Sequence, residues 1–153
     1  MNAIVGNSSV WSRTGGIMTS TTGVMPELGQ STADGNLKWA GMVRRILEQL
    51  LELGHNWDGR GSGRVLPDTA LFALQLLTQT MPPVGFAPAI VALGNGALQL
   101  EWHTPAADLE IEVRKPNSVS IWYSKRDSGE EEEFDVTTDF GRLEGLVKSV
   151  ANG

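Results

Sequence analysis

The chain contains no cysteine, so disulfide staples, thiolate nucleophiles and sulfur-ligated zinc are all excluded. Only two histidines are present, which leaves no closed zinc site and at most an open, carboxylate-rich one. Serine and threonine are plentiful, yet no Gly-x-Ser-x-Gly elbow and no phosphate loop ending in Gly-Lys-Ser/Thr occurs. No apolar run reaches the roughly 18 residues needed to cross a bilayer, and the first residues lack the charged-then-apolar order of a secretory signal. The expectation is a soluble cytoplasmic protein without a cofactor or resident metal. Basic residues are also scarce, 12 Lys and Arg against 18 Asp and Glu, for a net charge of -6 and a sequence pI near 4.8. A phosphate backbone is repelled by that balance, so direct nucleic-acid binding is disfavoured.

What is present is unevenly placed. Residues 89–153 hold six basic and twelve acidic side chains and supply the acidity, whereas residues 37–88 are nearly balanced. Residues 1–36 are mostly Gly, Ser, Thr and Asn with scattered Ile4, Val5, Val10, Trp11 and Ile17, too polar and unpatterned for a core. They read as an N-terminal extension, flexible or ordered by a partner, and residues 37–153 as one domain.

Leu37 to Leu53 sets Trp39, Val43, Ile46, Leu47, Leu50 and Leu51 at three- and four-residue steps, the pattern of an amphipathic helix. Gly54 stands where a left-handed terminating residue is wanted. Pro67 and Asp68 suit the start of a second helix, with Ala70, Leu71, Leu74 and Leu77 as its buried stripe and Met81-Pro82-Pro83 as its end. The period then changes to two. Ala89 to Leu93, the Leu98, Leu100 and Trp102 series, the Leu109, Ile111 and Val113 series, and the Val119, Ile121 and Tyr123 series predict four strands in a meander. Gly94-Asn95-Gly96 and Lys115-Pro116-Asn117-Ser118 serve as turns. Lys125 to Glu133 reads as a charged loop, Phe134-Asp135-Val136 as a short fifth edge strand, and Asp139 as the cap of a last helix carrying Phe140, Leu143, Leu146, Val147 and Val150.

Most of these strands have one apolar and one polar face, so the sheet is expected to be covered on one side only. The predicted fold is therefore α+β, a two-layer sandwich of a four- to five-stranded antiparallel meander and about three helices, in the order α-α-β-β-β-β-α. Its open face would carry Gln99, Glu101, His103, Glu110, Glu112, Arg114, Ser120 and Trp122.

Two motifs give a further handle, Asn56-Trp57-Asp58-Gly59 and Leu98-Gln99-Leu100-Glu101-Trp102. The region from about Leu47 to Tyr123 resembles a family of small, uncharacterised bacterial and phage-borne proteins that share an Asn-Trp-Asp-Gly corner and a Gly-Gly-x-x-Leu-Glu-Trp strand. Ala97 replaces the second glycine, and Arg60 stands where an aromatic residue is usual. The resemblance implies the fold and brings no activity with it.

Asn56, Trp57, Asp58 and Gly59 read as a structural corner, with Asn and Asp bonding their own backbone and Trp57 plugging into the core. Gly59 to Arg64 is glycine-rich and basic but follows no strand, which suits a flexible connector better than an anion site. Glu101, His103, Glu110, Glu112 and Trp122, with the run Glu130, Glu131, Glu132 and Glu133, are the expected partner-binding residues. The polar face and charge run point to a basic protein surface, with Trp122 as an aromatic anchor. That makes a non-catalytic regulatory module, inhibitor- or antitoxin-like, the leading expectation. The alternatives are a small hydrolase using Asp58, Glu101 and His103, with or without a divalent metal, and a subunit docked into a larger assembly by its N-terminal arm. Self-pairing of the sheet face in a homodimer is left open.

Overall fold

In the computed structural model, which describes residues 37–153, three helices lie on one side of a five-stranded sheet. The expectations for residues 1–36 fall outside the described residues. Helix α1 is Ala40–Leu51, α2 is Pro67–Thr80 and α3 is Gly141–Ala151; strands β1 to β5 are Ala89–Ala92, Leu98–His103, Ala107–Lys115, Ser118–Lys125 and Glu131–Val136. The strands are adjacent in chain order and every pair is antiparallel. The expected α+β sandwich is thus present, with the fifth strand fully formed.

The two-residue period dictates the core. Leu98, Leu100 and Trp102 on β2 are buried, as are Leu109, Ile111 and Val113 on β3 and Val119, Ile121 and Tyr123 on β4. The register sets Leu100, Ile111 and Ile121 side by side in one row and Trp102, Leu109 and Tyr123 in the next. Each such side chain contributes about 1.5–3 kcal/mol by leaving water. Helices α2 and α3 pack on β2 and β3, and α1 packs on β1. Helix α2 offers Ala70 and Ala73 beside Leu74, Leu76 and Leu77, the small residues letting its backbone approach the sheet.

Local signals explain most boundaries. Pro67 opens α2 at its first turn with Asp68 beside it, and Pro82 and Pro83 follow its last residues, where proline cannot continue a helix. Trp39 precedes α1 and donates its indole N–H to Pro82 O at 3.0 Å, while Lys38 N–H bonds Pro83 O at 3.0 Å. The start of α1 is therefore tied to the end of α2. Phe72 and Phe140, with ring centroids 6.2 Å apart, fasten α2 to the entry of α3. The cap of α3 falls one residue later than predicted: Phe140 is the N-cap, and the Asp139 carboxylate accepts from Gly141 N–H at 3.1 Å.

Two expectations at the end of α1 are corrected. Gly54 is not the left-handed residue; Asn56 takes that role at φ 61°, because its side chain can bond the loop that follows. Trp57 is no core plug either, being 38% exposed. Its indole N–H reaches Gly63 O at 3.2 Å and braces the loop from outside.

The β1–β2 turn rests on that same loop. Gly63 N–H bonds Gly94 O at 2.9 Å, and Asn95 Oδ1 accepts from Ala97 N–H at 3.0 Å. Ala97 is buried without a left-handed backbone, so alanine serves there as well as glycine. Gly96 is different: at φ 87° an added Cβ would lie 2.9 Å from Arg64 O. Gly59, at φ 74°, has open space around it. Gly96→Ala is therefore expected to cost about 2 kcal/mol or more, and Gly59→Ala only the roughly 1–2 kcal/mol of a left-handed alanine. Urea unfolding midpoints of the two variants provide the comparison, and equal losses would contradict the close contact.

Candidate functional site

The corner is built by its own side chains. Asn56 Oδ1 accepts from Gly61 N–H at 2.6 Å, and Asn56 N–H bonds Ser62 O at 2.7 Å. Asp58 Oδ1 accepts from Arg60 N–H at 2.8 Å and from Ser62 N–H at 3.4 Å. The Ser62 hydroxyl, followed by the Arg60 amide, holds the Asp58 carboxyl below its ordinary value. A carboxylate stabilised in this way is a poor proton acceptor, and its contacts give it the role of shaping the turn. The segment Gly59–Arg64 is accordingly a hydrogen-bonded loop rather than the flexible connector its composition suggests.

The second concentration of polar groups is the sheet face opposite the helices, which no helix among the described residues covers. The register lays it out in rows. Glu101 faces Glu110, Glu110 faces Trp122, and Trp122 faces Glu133; Gln99 faces Glu112, then Ser120, then Asp135; His103 faces Asp108, then Ser124, then Glu131. Seven carboxylates thus share the face, Glu101, Asp108, Glu110, Glu112, Glu131, Glu133 and Asp135.

The acidic run does not behave as one loop patch. Glu130 lies in the turn and pairs with Lys125 at 3.0 Å, which raises the Lys125 pKa. From Glu131 onward the residues belong to β5 and alternate. Glu131 and Glu133 join the open face, whereas Glu132 points to the covered side and pairs with Arg142, whose guanidinium lies 4.2 Å from the Phe134 ring centre. The predicted loop of four equivalent charges is therefore corrected to two on the face and two engaged elsewhere.

Within the face, Gln99 donates its amide N–H to Glu101 Oε1 and Glu110 Oε2, each at 2.9 Å. This bridge offsets part of the repulsion between like charges placed directly opposite. Arg114 binds Glu112 at 3.1 Å and approaches Asp135 at 3.6 Å. Trp122 is half-buried and donates its indole N–H to Glu131 Oε1 at 3.1 Å. Beside it lies a depression of about 340 Å³ lined by Gln99, Glu110, Glu112, Ser120, Trp122 and Glu133, with the Ile121 backbone segment beneath.

At the end of the face His103 Nδ1 lies 2.8 Å from Asp108 Oδ1 and Nε2 lies 3.5 Å from Glu101 Oε2, and Arg126 Nη2 bonds the same Asp108 oxygen at 2.5 Å. The hydrogen bond to Asp108 raises the His103 pKa from its usual 6.5, partly opposed by desolvation and helped by Glu101. Contact with His103 in turn lowers that of Asp108. Although Ser, His and Asp all occur here, Asp108 stands between His103 and Ser124 in the row. The imidazole is thus one strand too far away to take the serine proton, and the trio forms an ion-pair network. Asp58 is not brought to it: the corner sits against the β1–β2 turn, while His103 ends β2 roughly 17 Å further along the strand. Among the described residues no three His, Asp or Glu side chains are grouped to hold a metal ion.

A raised histidine pKa fixes the sign of a pH effect. The His103 contribution is complete below about pH 6.5 and is lost as pH rises through the folded-state value. Because His103 is 52% exposed, it amounts to a few tenths of a kcal/mol. Between about pH 6 and pH 8, wild-type stability is expected to fall relative to His103→Gln, as read from denaturation midpoints; parallel curves would contradict the pairing.

Asp108, Asp135 and Arg126 were not singled out by the sequence. The signal for Asp108 lies in the Leu109, Ile111, Val113 alternation, which places it on the open face when extended backward by one step. For Glu131 and Glu133 the run itself shows no period, and the signal lies in Phe134 and Val136, whose alternation extended backward past Asp135 sets both on the open face. Comparison of the chain with family models, curated proteins and solved structures yields no match.

Proposed function

We propose that this chain is a non-catalytic, cytoplasmic regulatory protein of bacterial or phage origin, inhibitor- or antitoxin-like, that binds a basic protein partner through its acidic sheet face. The observation that carries the reading is the row Glu101, Glu110, Trp122, Glu133. Like charges directly opposite one another destabilise a sheet, and a tryptophan among them gains little from the core. Both make sense on a surface that meets opposite charge. The same acidity opposes self-association through this face and binding to phosphate backbones. Kinship with the bacterial and phage family of the Asn-Trp-Asp-Gly corner rests on the two motifs.

A tagged native chain is expected to retain its partner at low ionic strength and release it as salt rises. Glu110→Gln/Glu112→Gln/Glu133→Gln and Trp122→Ala are each expected to lose it. A partner held equally by both variants would sink the reading. A catalytic alternative keeps the contact between Glu101 and His103, while Asp58 belongs to the corner.

A further inference from the structure

We infer that the depression beside Trp122 seats an arginine side chain of the partner, an inference that rests on the basic-partner reading of this face. Carboxylates alone would attract any cation; what narrows the choice here is their arrangement about an aromatic wall. Trp122 forms one side of the 340 Å³ depression, Ser120 leaves its floor open, and Glu110 and Glu133 stand on either side of Trp122 in the same cross-strand row. Side chains directly opposite are roughly 4.5–5.5 Å apart at Cβ, so both carboxylates flank anything resting against the indole.

The groups around the depression retain capacity. Glu110 has only Oε2 engaged, by Gln99, and Glu112 only Oε1, by Arg114. Glu133 has no hydrogen-bond or ion-pair partner among the described residues. The indole is positioned in advance by its bond to Glu131 at 3.1 Å. A planar guanidinium can stack on an indole while its in-plane N–H groups point outward to carboxylates on two sides. A lysine ammonium is a compact point charge that reaches one of these partners well and holds its water more strongly. The site therefore suits arginine more than lysine.

The test uses short oligoarginine and oligolysine peptides of equal length, titrated into the full chain at low salt. Binding is followed calorimetrically and by the backbone and indole N–H resonances of Trp122. Oligoarginine is expected to bind about tenfold more tightly, which corresponds to the upper part of cation–π contributions, and to shift the Trp122 indole resonance. Trp122→Ala is expected to erase the preference while both peptides still bind through the remaining charge, and Trp122→Phe to keep part of it. Glu133→Gln, on an exposed position, gives a second variant that leaves the aromatic wall intact and should reduce the preference severalfold. Equal affinities for the two peptides, or an arginine preference that survives Trp122→Ala, would overturn the inference and leave the basic-partner reading standing. Absence of binding by either peptide at low salt would overturn both.

Discussion

Trp102→Ala is expected to remove about 3–5 kcal/mol of stability, a large share of the 5–15 kcal/mol available to an ordinary domain. The indole is 4% exposed and sits in a row with Leu109 and Tyr123, so truncation leaves a void that closely packed neighbours fill only in part. It also cuts a tether. The Trp102 N–H bonds Phe86 O at 2.8 Å, and Phe86 N–H bonds Ala151 O at 2.8 Å. The segment between α2 and β1 is thereby held to the sheet and to the end of α3, although Phe86 itself is 70% exposed. Trp102→Phe separates the two effects: it keeps most of the apolar volume and forfeits the hydrogen bond, for a cost of about 1 kcal/mol plus a smaller void. Denaturant unfolding of both variants measures the difference, and a loss below about 1 kcal/mol for Trp102→Ala would show that this indole does not hold the core. Trp122, two strands away on the opposite face, should cost less when truncated, because it is only partly buried.

Neutralising Glu110, Glu112 and Glu133 to Gln is expected to act in opposite directions on binding and stability. Partner affinity should fall on the order of a hundredfold, about 2.7 kcal/mol, since three charges at the centre of the proposed recognition surface are removed together. Stability at low ionic strength should instead rise by about 0.5–1 kcal/mol, because Glu110 no longer faces Glu101 across the strands. The gain should shrink above about 0.1 M salt, where screening already weakens that repulsion. Calorimetric titration with the captured partner and unfolding at two salt concentrations supply both numbers. A variant that loses stability and keeps its affinity would mean that the carboxylates serve the fold and not the partner.

Most of the architecture was readable from period and punctuation. Pro67, the double proline after α2, and the alternation of Leu98, Leu100 and Trp102 leave little freedom in assigning α2 and β2. The two misreadings at the end of α1 share one cause, the dependence of local conformation on hydrogen bonds made beyond the helix. Gly54 satisfies the general preference for glycine after a helix, yet Asn56 wins because its side chain closes the loop onto Gly61. Trp57 has the bulk of a core residue, but the tightness of that loop leaves its ring outside. For the site, Glu101, His103, Glu110, Glu112 and Trp122 fall on the predicted face because side chains alternate strictly along a strand. Which of them stand opposite one another depends on register, and register depends on turn geometry: the Pro116-Asn117 connection, with Asn117 at φ 60°, sets β4 against β3. The division of Glu130 to Glu133 between two faces follows from where β5 begins, since the phase that Phe134 and Val136 set reaches the glutamates only when the strand extends back to Glu131.

Among the described residues the meander does not close on itself, so it ends in two margins, β1 and β5, that no other described strand pairs, each a row of backbone donors and acceptors able to recruit a foreign strand. One margin, β1, is only four residues long and offers too little ladder to template growth. The other, β5, is six residues long and is guarded instead by the carboxylate side chains of Glu131, Glu132, Glu133 and Asp135. Protection from fibrillar stacking is thus geometric on one side and electrostatic on the other, and only the second weakens as salt rises.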